Sequence, residues 1–386
     1  RLKDMEVETL WFMPVTPISK KNMKGSLGSY YACSDYTSIN PEFGNLTEFK
    51  NLINTAHNLG FKVIIDWVAN HTGWDHIWTK EHPDWYKRDE NGDFNKASGM
   101  DDIIELDYSN QEMRKEMINS MKFWLTEAKI DGFRCDLAFW VRLDFWQQAI
   151  PELNSYKPQL FWLAESDPID HPEYMTVFNA AYSWQWMHKS EDYAKNKISW
   201  NDLMSVLNKY NEVPGIKAWF TSNHDENSWN GSEYEKYGDM ALGLAVFSCT
   251  WKGLPLLYSG QELPNYKRLL FFDKDEIVWN TDIKLHNFYK KLLHLQRNNS
   301  ALNVHAGLEL LNITNSERIL AYRRINGKDK VIVIINFNSS ETIIQIEGIK
   351  GNYTDIFSGK EFEFDNNSEL RLLPWQYIVA EIKKAG

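Results

Sequence analysis

Four stretches of this chain end apolar runs with groups that titrate or hydrogen-bond: "FKVIIDWVANH" (61–71), "DGFRCDLA" (131–138), "QLFWLAESD" (159–167) and "KAWFTSNHDEN" (217–227). They supply Asp66, Asn70 and His71; Arg134 and Asp136; Glu165; and His224 and Asp225. Side chains on a strand alternate faces, so Arg134 and Asp136 point one way while Phe133 and Cys135 point the other. A charge pair on a buried strand is costly unless something uses it. One carboxylate at a strand end would be read as solvated or structural. Asp136, Glu165 and Asp225, on three separate strand ends with an arginine and two histidines beside them, are harder to explain as structure. The chemistry that needs such a set is cleavage of a glycosidic bond. One carboxylate attacks the anomeric carbon, and a carboxylic acid protonates the leaving oxygen and then serves as base for water. Further charge steadies the oxocarbenium-like transition state.

The elements that must position these groups follow a repeating order. Besides the four stretches, "TLWFMPV" (9–15), "AAYSWQW" (180–186) and "LPLLYSGQE" (254–262) read as strands. Helix-like segments lie between them. Asn45 and Glu48 form a capping box before a segment that Gly60 stops, Ser109 and Glu112 read as a second box, and 282–298 is amphipathic. Strand alternating with helix predicts parallel strands with crossovers, and apolar strands predict burial on both faces. Polar residues at C-terminal strand ends predict a (β/α)8 barrel rather than an open doubly wound sheet, since no glycine-rich phosphate loop follows any strand. Seven strands are counted where eight are needed. The chain opens on what reads as a helix tail, so the first barrel strand and helix are expected to be absent from it. The barrel is expected over 1–299, with a subdomain inserted at about 72–107 after strand three. Within that insertion "DENGDF" (89–94) reads as a turn rather than a calcium loop. Short β-like segments over 300–386, with a hairpin signal at Asn326-Gly327, predict a C-terminal antiparallel β-sandwich.

Composition narrows the partners. The net charge of −11 with no basic block argues against nucleic acid. No apolar run reaches the roughly 18 residues of a membrane span. Cys33, Cys135 and Cys249 are not a disulfide framework. They fit a reducing compartment, which favours the cytoplasm over the periplasm or secretion. With 17 Trp, 18 Tyr and 20 Phe the chain has many flat rings to set against a flat ligand such as a sugar.

The four stretches together resemble the four conserved regions of the α-amylase family of retaining α-glycosidases. "DWVANH" resembles the first, "GFRCDLA" the second, "LAES" the third and "FTSNHDEN" the fourth, in the same order. The resemblance extends to "GSYYACSDYTSINPEFG" (28–44), "GLPLLYSGQE" (253–262) and the β-rich C-terminal part. It implies hydrolysis of α-1,4-linked glucans or malto-oligosaccharides. Asp136 would be the nucleophile, Glu165 the general acid/base, and Asp225 the carboxylate that grips sugar hydroxyls. Arg134 would hydrogen-bond the nucleophile, His71 and His224 would contact hydroxyls, Tyr31 would stack on the ring, and Asp66 would brace the site. Phe139 and Trp140 stand where the family often has Lys-His, and Trp140 is read either as a stacking platform or as packing. Asn70 and Asp107 match calcium-binding positions, but two ligands fall short of the roughly six to eight oxygens calcium takes, so a complete site is doubtful. The chemistry itself requires no cofactor. Two alternatives stay open: a transglycosylase or sugar isomerase on the same fold, and a non-catalytic amylase-like carbohydrate-binding module.

Overall fold

The computed structural model describes residues 1–279, 282–315 and 317–383. In chain order its strands are β1 (Thr9–Phe12), β2 (Lys62–Trp67), β3 (His71–Gly73), β4 (Ile103–Glu105), β5 (Gly132–Cys135), β6 (Phe161–Ala164), β7 (Ala180–Tyr182), β8 (Ile216–Trp219), β9 (Leu254–Pro255), β10 (Gly307–Leu310), β11 (Asn312–Ile313), β12 (Ile319–Asn326), β13 (Asp329–Asn336), β14 (Thr342–Asp355), β15 (Glu361–Leu372) and β16 (Tyr377–Ile382). Each of the seven apolar runs contains one strand of a single parallel sheet, ordered β1-β2-β5-β6-β7-β8-β9. Helices Leu46–Asn58, Gln111–Glu127, Leu143–Tyr156, Trp200–Glu212 and Ala241–Thr250 provide crossovers. Only a short 3-10 turn, Pro172–Thr176, links β6 to β7. Among the described residues no strand bridges β1 and β9, so the sheet is a seven-stranded arc of the expected barrel. The segment before β1 is fastened to helix His286–Asn298 through Asp4–His286 (2.7 Å) and Glu6–His294 (2.6 Å).

Alternation along the strands separates two environments. Val63, Ile65 and Trp67 of β2, Phe133 and Cys135 of β5, and Trp162 and Ala164 of β6 pack outward against helix residues such as Trp124 and Trp146. Leu163, Ala180, Tyr182 and Ala218 fill the barrel interior instead. Arg134 belongs to the interior face, as the alternation requires.

Local signals explain most element ends. Asn45 and Glu48 form the expected capping box at 2.9 and 3.1 Å. The second box does not form: Asn110, not Ser109, caps helix Gln111–Glu127, because its Oδ1 reaches the amides of Glu112 and Met113. The helix read over 282–298 starts at His286. Asp89 turns "DENGDF" by accepting from the amides of Asn91 and Asp93. β3 and β4 pair antiparallel within the 72–107 excursion.

The C-terminal strands form one continuous antiparallel sheet, β10-β12-β13-β16-β14-β11, with β15 on β14. Asn326 pairs with Asp329 around Gly327, as the hairpin signal predicts. Ile319, Ile334, Ile346 and Leu372 form one apolar cluster across β12 to β15, while Leu320, Tyr322, Val333 and Ile335 pack in the cluster that includes helix Ala241–Thr250. Arg324, fully buried in that junction, donates to the carbonyls of Asn303 (2.7 Å), Thr250 (2.9 Å) and Gly307 (3.2 Å). No helix among the described residues is long and apolar enough to cross a membrane. The three cysteines are free and buried.

Gly132 opens β5 flush against β6: a Cβ there would lie 2.0 Å from the Phe161 carbonyl oxygen. Gly132→Ala must push the two strands apart just below Arg134 and Asp136. It should cost more than about 2 kcal/mol in urea unfolding. It should also depress any activity of the folded fraction more than it changes far-UV circular dichroism.

Candidate active site

The sheet register sets the centre of the site. Asp66 on β2 is the direct neighbour of Arg134 on β5, and Arg134 is the neighbour of Leu163 on β6. Just beyond the strand ends, the Glu165 amide donates to the Cys135 carbonyl at 3.0 Å and the Asp136 amide to the Trp67 carbonyl at 3.0 Å. Three carboxylates therefore converge on one guanidinium. Arg134 Nη1 donates to both oxygens of Asp66 (2.8 and 3.0 Å) and to Asp136 Oδ1 (2.9 Å). Its Nη2 lies 2.8 Å from Glu165 Oε2, an ion-pair contact that is not aligned as a hydrogen bond. Nε donates to the Tyr182 hydroxyl at 3.2 Å, and the rings of Trp11, Tyr31 and Tyr182 surround the cation. Arg134 is wholly buried.

After Asp136 the backbone turns sharply through Leu137 at φ 38°, a left-handed conformation uncommon for a bulky residue. This turn aims the Leu137 amide at Glu165 Oε2, 2.8 Å away. A second chain of contacts leaves Asp66. The Tyr31 hydroxyl donates to Asp66 Oδ2 at 3.0 Å, so it accepts from His224 Nε2–H at 2.6 Å. The same His224 nitrogen lies 3.2 Å from Asp225 Oδ2, and the Tyr31 and His224 rings stack at 5.6 Å. Arg134, Tyr31 and His224 thus tie Asp66, Asp136, Glu165 and Asp225 into one network.

Burial and charge divide the carboxylates. Burial raises the Asp136 pKa well above the usual aspartate range and the negative charge of Glu165 raises it further, against the pull of Arg134. Burial likewise raises Asp66. For Asp225 burial pushes upward, but the charge and hydrogen bond of His224 outweigh it and leave the carboxyl below its ordinary value. Burial pushes the His71 imidazole down to about 4, so it is neutral near pH 7. Its Nε2 has no protein partner.

Asp136, Glu165, Asp225, Tyr31 and His71 line a single cavity of about 380 Å³. Arg134, Asp66 and His224 lie behind it and hold its walls. Trp140 is not part of the wall. The turn at Leu137 carries it into the 3-10 helix Ala138–Trp140, where its half-buried ring stands edge-on to Phe139. The aromatic wall comes instead from Trp229, Phe271 and Phe272, which pack on one another. Lys24 and Asp102 line the same cavity. The sequence offered one signal for this wall, the position of Trp229 four residues beyond Asp225. Phe271, Phe272, Lys24 and Asp102 lie in irregular segments whose fold no periodicity announces.

Asn70 and Asp107 each meet a protein partner. The Asn70 amide faces His71 Nδ1 at 3.4 Å, and Asp107 Oδ1 accepts from the Ser109 amide at 2.9 Å. No group of three or more His, Cys, Asp or Glu residues with metal-holding geometry lies among the described residues.

Residues 1–98 and 81–300 match the family described as "Alpha amylase, catalytic domain", and residues 313–375 match "Alpha amylase, C-terminal all-beta domain". Alpha-amylase 2 of Dictyoglomus thermophilum is 23% identical over 93% of this chain and 65% of its own length. The cyclomaltodextrinase of Thermoanaerobacter pseudethanolicus is 24% identical over 95% of this chain and 66% of its own. This chain thus spans just under two thirds of the length of those two curated relatives. Among solved structures, a noncanonic maltogenic alpha-amylase from Thermotoga neapolitana superposes with a TM-score of 0.91 at 27% identity, covering 100% of this chain and 92% of the other. An alpha-amylase from Lactobacillus plantarum gives 0.88 at 28% identity, covering 99% and 93%. Two family matches that span most of the chain, laid over a parallel barrel sheet and an antiparallel C-terminal sheet, lead to one conclusion: this chain belongs to the alpha-amylase family.

Proposed function

We propose that this protein hydrolyses α-1,4-glucosidic bonds in starch-type glucans or malto-oligosaccharides by double displacement with retention. The observation that carries the reading is the sharing of Arg134 by Asp136 and Glu165 at the edge of one cavity. Two carboxyls on one guanidinium support the close pair of a retaining enzyme, roughly 5 Å apart. Inverting enzymes keep roughly 6.5–9.5 Å to admit a water. The names of the relatives, which include amylases, a cyclomaltodextrinase and cyclomaltodextrin glucanotransferases, support an α-glucan as the substrate class.

In this reading Asp136 attacks the anomeric carbon while Glu165 gives its proton to the leaving oxygen. Glu165 then takes a proton from water, which releases the sugar from Asp136. Arg134 favours the ionised form of Asp136 and aims it, and the carboxylate's negative charge is lost as its oxygen bonds the anomeric carbon and the leaving oxygen departs. Neutral His71, with Nε2 unpartnered, is placed to hold hydroxyls of the sugar undergoing attack, while His224 acts from behind through Tyr31 and Asp225. Asp225, kept ionised by His224, favours the positive charge that develops on the ring. Tyr31 stacks against the ring while its hydroxyl ties Asp66 to His224. Transfer to a sugar acceptor would use the same intermediate, and the glucanotransferases among the relatives are the reason to test for it.

Incubation with maltoheptaose followed by chromatography should yield shorter maltodextrins. Longer chains would mean transfer, and an absence of products would favour a binding module. Proton NMR during the first turnovers should find the new reducing end as the α-anomer. A β-anomer appearing first would refute retention.

The pH dependence follows from Asp136. As pH falls it takes up a proton and the nucleophile is lost. Burial raises Asp136, so this acid limb of kcat/KM lies above the ordinary value of 3.8. Glu165→Gln should lower kcat by about 10²–10⁴-fold for a substrate whose leaving group needs a proton, and an unchanged kcat contradicts the assignment.

A further inference from the structure

We infer that Trp229 is the platform on which a further glucose unit of the substrate chain stacks, beyond the unit under attack, so that the site prefers an oligosaccharide to a single sugar. The inference rests on the hydrolytic reading above, in which Tyr31 stacks on the attacked ring.

Four rings form a continuous path from the buried part of the cavity to solvent. Tyr31 and Phe271 face each other, with centroids 6.3 Å apart and planes 16° from parallel. Phe271 meets Trp229 at 5.3 Å, and Trp229 meets Phe272 at 5.8 Å. All four rings line the cavity that also holds Asp136, Glu165 and Asp225. Exposure rises along the path, from 9% at Tyr31 through half-buried Phe271 to 55% at Trp229. The path therefore leads outward from the reacting groups.

The protein itself holds Trp229 in this position. The residue sits on the π-helical turn Glu226–Asn230, which begins directly after Asp225. Turns of this kind are rare and recur at functional sites. Buried Lys236 anchors the turn by donating to Glu226 Oε2 at 2.9 Å, and Asn230 Nδ2 donates to Glu226 Oε1 at 3.0 Å. Asn227 links the turn to the segment that carries the phenylalanines. Its Nδ2 donates to the Lys267 carbonyl at 3.0 Å, and its Oδ1 accepts from the Leu269 amide at 2.9 Å. Phe271 rests on Tyr30 at 4.9 Å, and the Phe272 carbonyl accepts from the Leu27 amide at 3.0 Å.

The chemistry of the ring suits a sugar. A glucopyranose carries its hydroxyls around its edge and C–H groups on its faces, so each face is flat and apolar, as an indole is. Trp67, Trp124, Trp146, Trp162 and Trp219 are fully buried, whereas Trp229 keeps more than half of its surface in water. A sugar face laid on it removes apolar surface from water, and a ring already fixed by its neighbours loses little freedom in the process. Continuity with the cavity decides the occupant. Whatever covers Trp229 also borders the three carboxylates, and a glucan chain leaving that cavity does so.

The test compares maltoheptaose with α-D-glucopyranosyl fluoride, whose single sugar fills the attacked position and leaves nothing to lie on Trp229. The readout is the ratio of kcat/KM for the two substrates. Trp229→Ala should lower that ratio by about 10-fold, the scale of one apolar ring face left uncovered. Trp229→Phe keeps a flat ring and should restore most of the loss. An unchanged ratio in Trp229→Ala overturns the inference, as does a Trp229→Phe ratio no better than that of Trp229→Ala. If neither substrate is cleaved, the hydrolytic reading fails separately. In that case, or where one substrate alone reacts, calorimetry with maltoheptaose decides the platform. Binding about 10-fold weaker in Trp229→Ala supports it; equal binding, or no binding to the intact protein, overturns it. Sedimentation velocity tests the other occupant: a dimer that Trp229→Ala dissociates assigns the ring to a second copy of this chain and overturns the inference.

Discussion

One guanidinium without solvent contact organises this molecule. Arg134 meets Asp66, Asp136 and Glu165 from adjacent strand positions. Any one of these carboxylates buried alone would take up a proton or disrupt the fold. Grouped around a single cation they still carry more negative charge than it neutralises. The excess raises Asp136 above the ordinary aspartate range, through burial and the charge of Glu165, against the pull of Arg134. A lysine could not replace Arg134, since a point charge on a flexible stem lacks the fork that separates two carboxylates by a set distance. The aromatic rings around the guanidinium exclude water and keep these interactions strong.

That arrangement asks much of the backbone. The interior groups come from β2, β5 and the end of β6, so a slip of one residue in either strand pair would send Arg134 into the apolar layer of Phe133 and Trp162. Gly132, flush against Phe161, and the left-handed Leu137 mark the start and the exit of the strand that carries the cluster. The outer layer of tryptophans and helix residues resists any such slip through apolar burial. The chemistry and the packing therefore use opposite faces of the same short strands.

The cavity above the cluster is built differently. Its base belongs to strand ends, while its walls come from the 24–28 loop, the 72–107 excursion and the segment around Phe271. Strand ends set by sheet register hold the reacting groups rigidly. Loops docked by a few hydrogen bonds decide how far a chain reaches past them. The carboxylate cluster and the cavity walls thus come from separate parts of the structure.

By itself the sequence determined the seven barrel strands, the C-terminal antiparallel strands, the facing of Arg134 and Asp136, and the carboxylates that share the site. Each of these follows from period and composition along a contiguous stretch, where the physics is local: alternation on a strand, an amide needing a cap, a charge needing a reason to be buried. Where two local options were close in energy, the reading slipped by a residue, as at the cap that Asn110 takes from Ser109. Only the tertiary structure decided that Trp140 is left out of the cavity lining, that Trp229, Phe271 and Phe272 form its aromatic wall, and that Lys24 meets Asp102. Those outcomes depend on contacts between irregular segments far apart in the chain. No repeat encodes such contacts, because their partners are chosen by three-dimensional packing once the strands have set the frame.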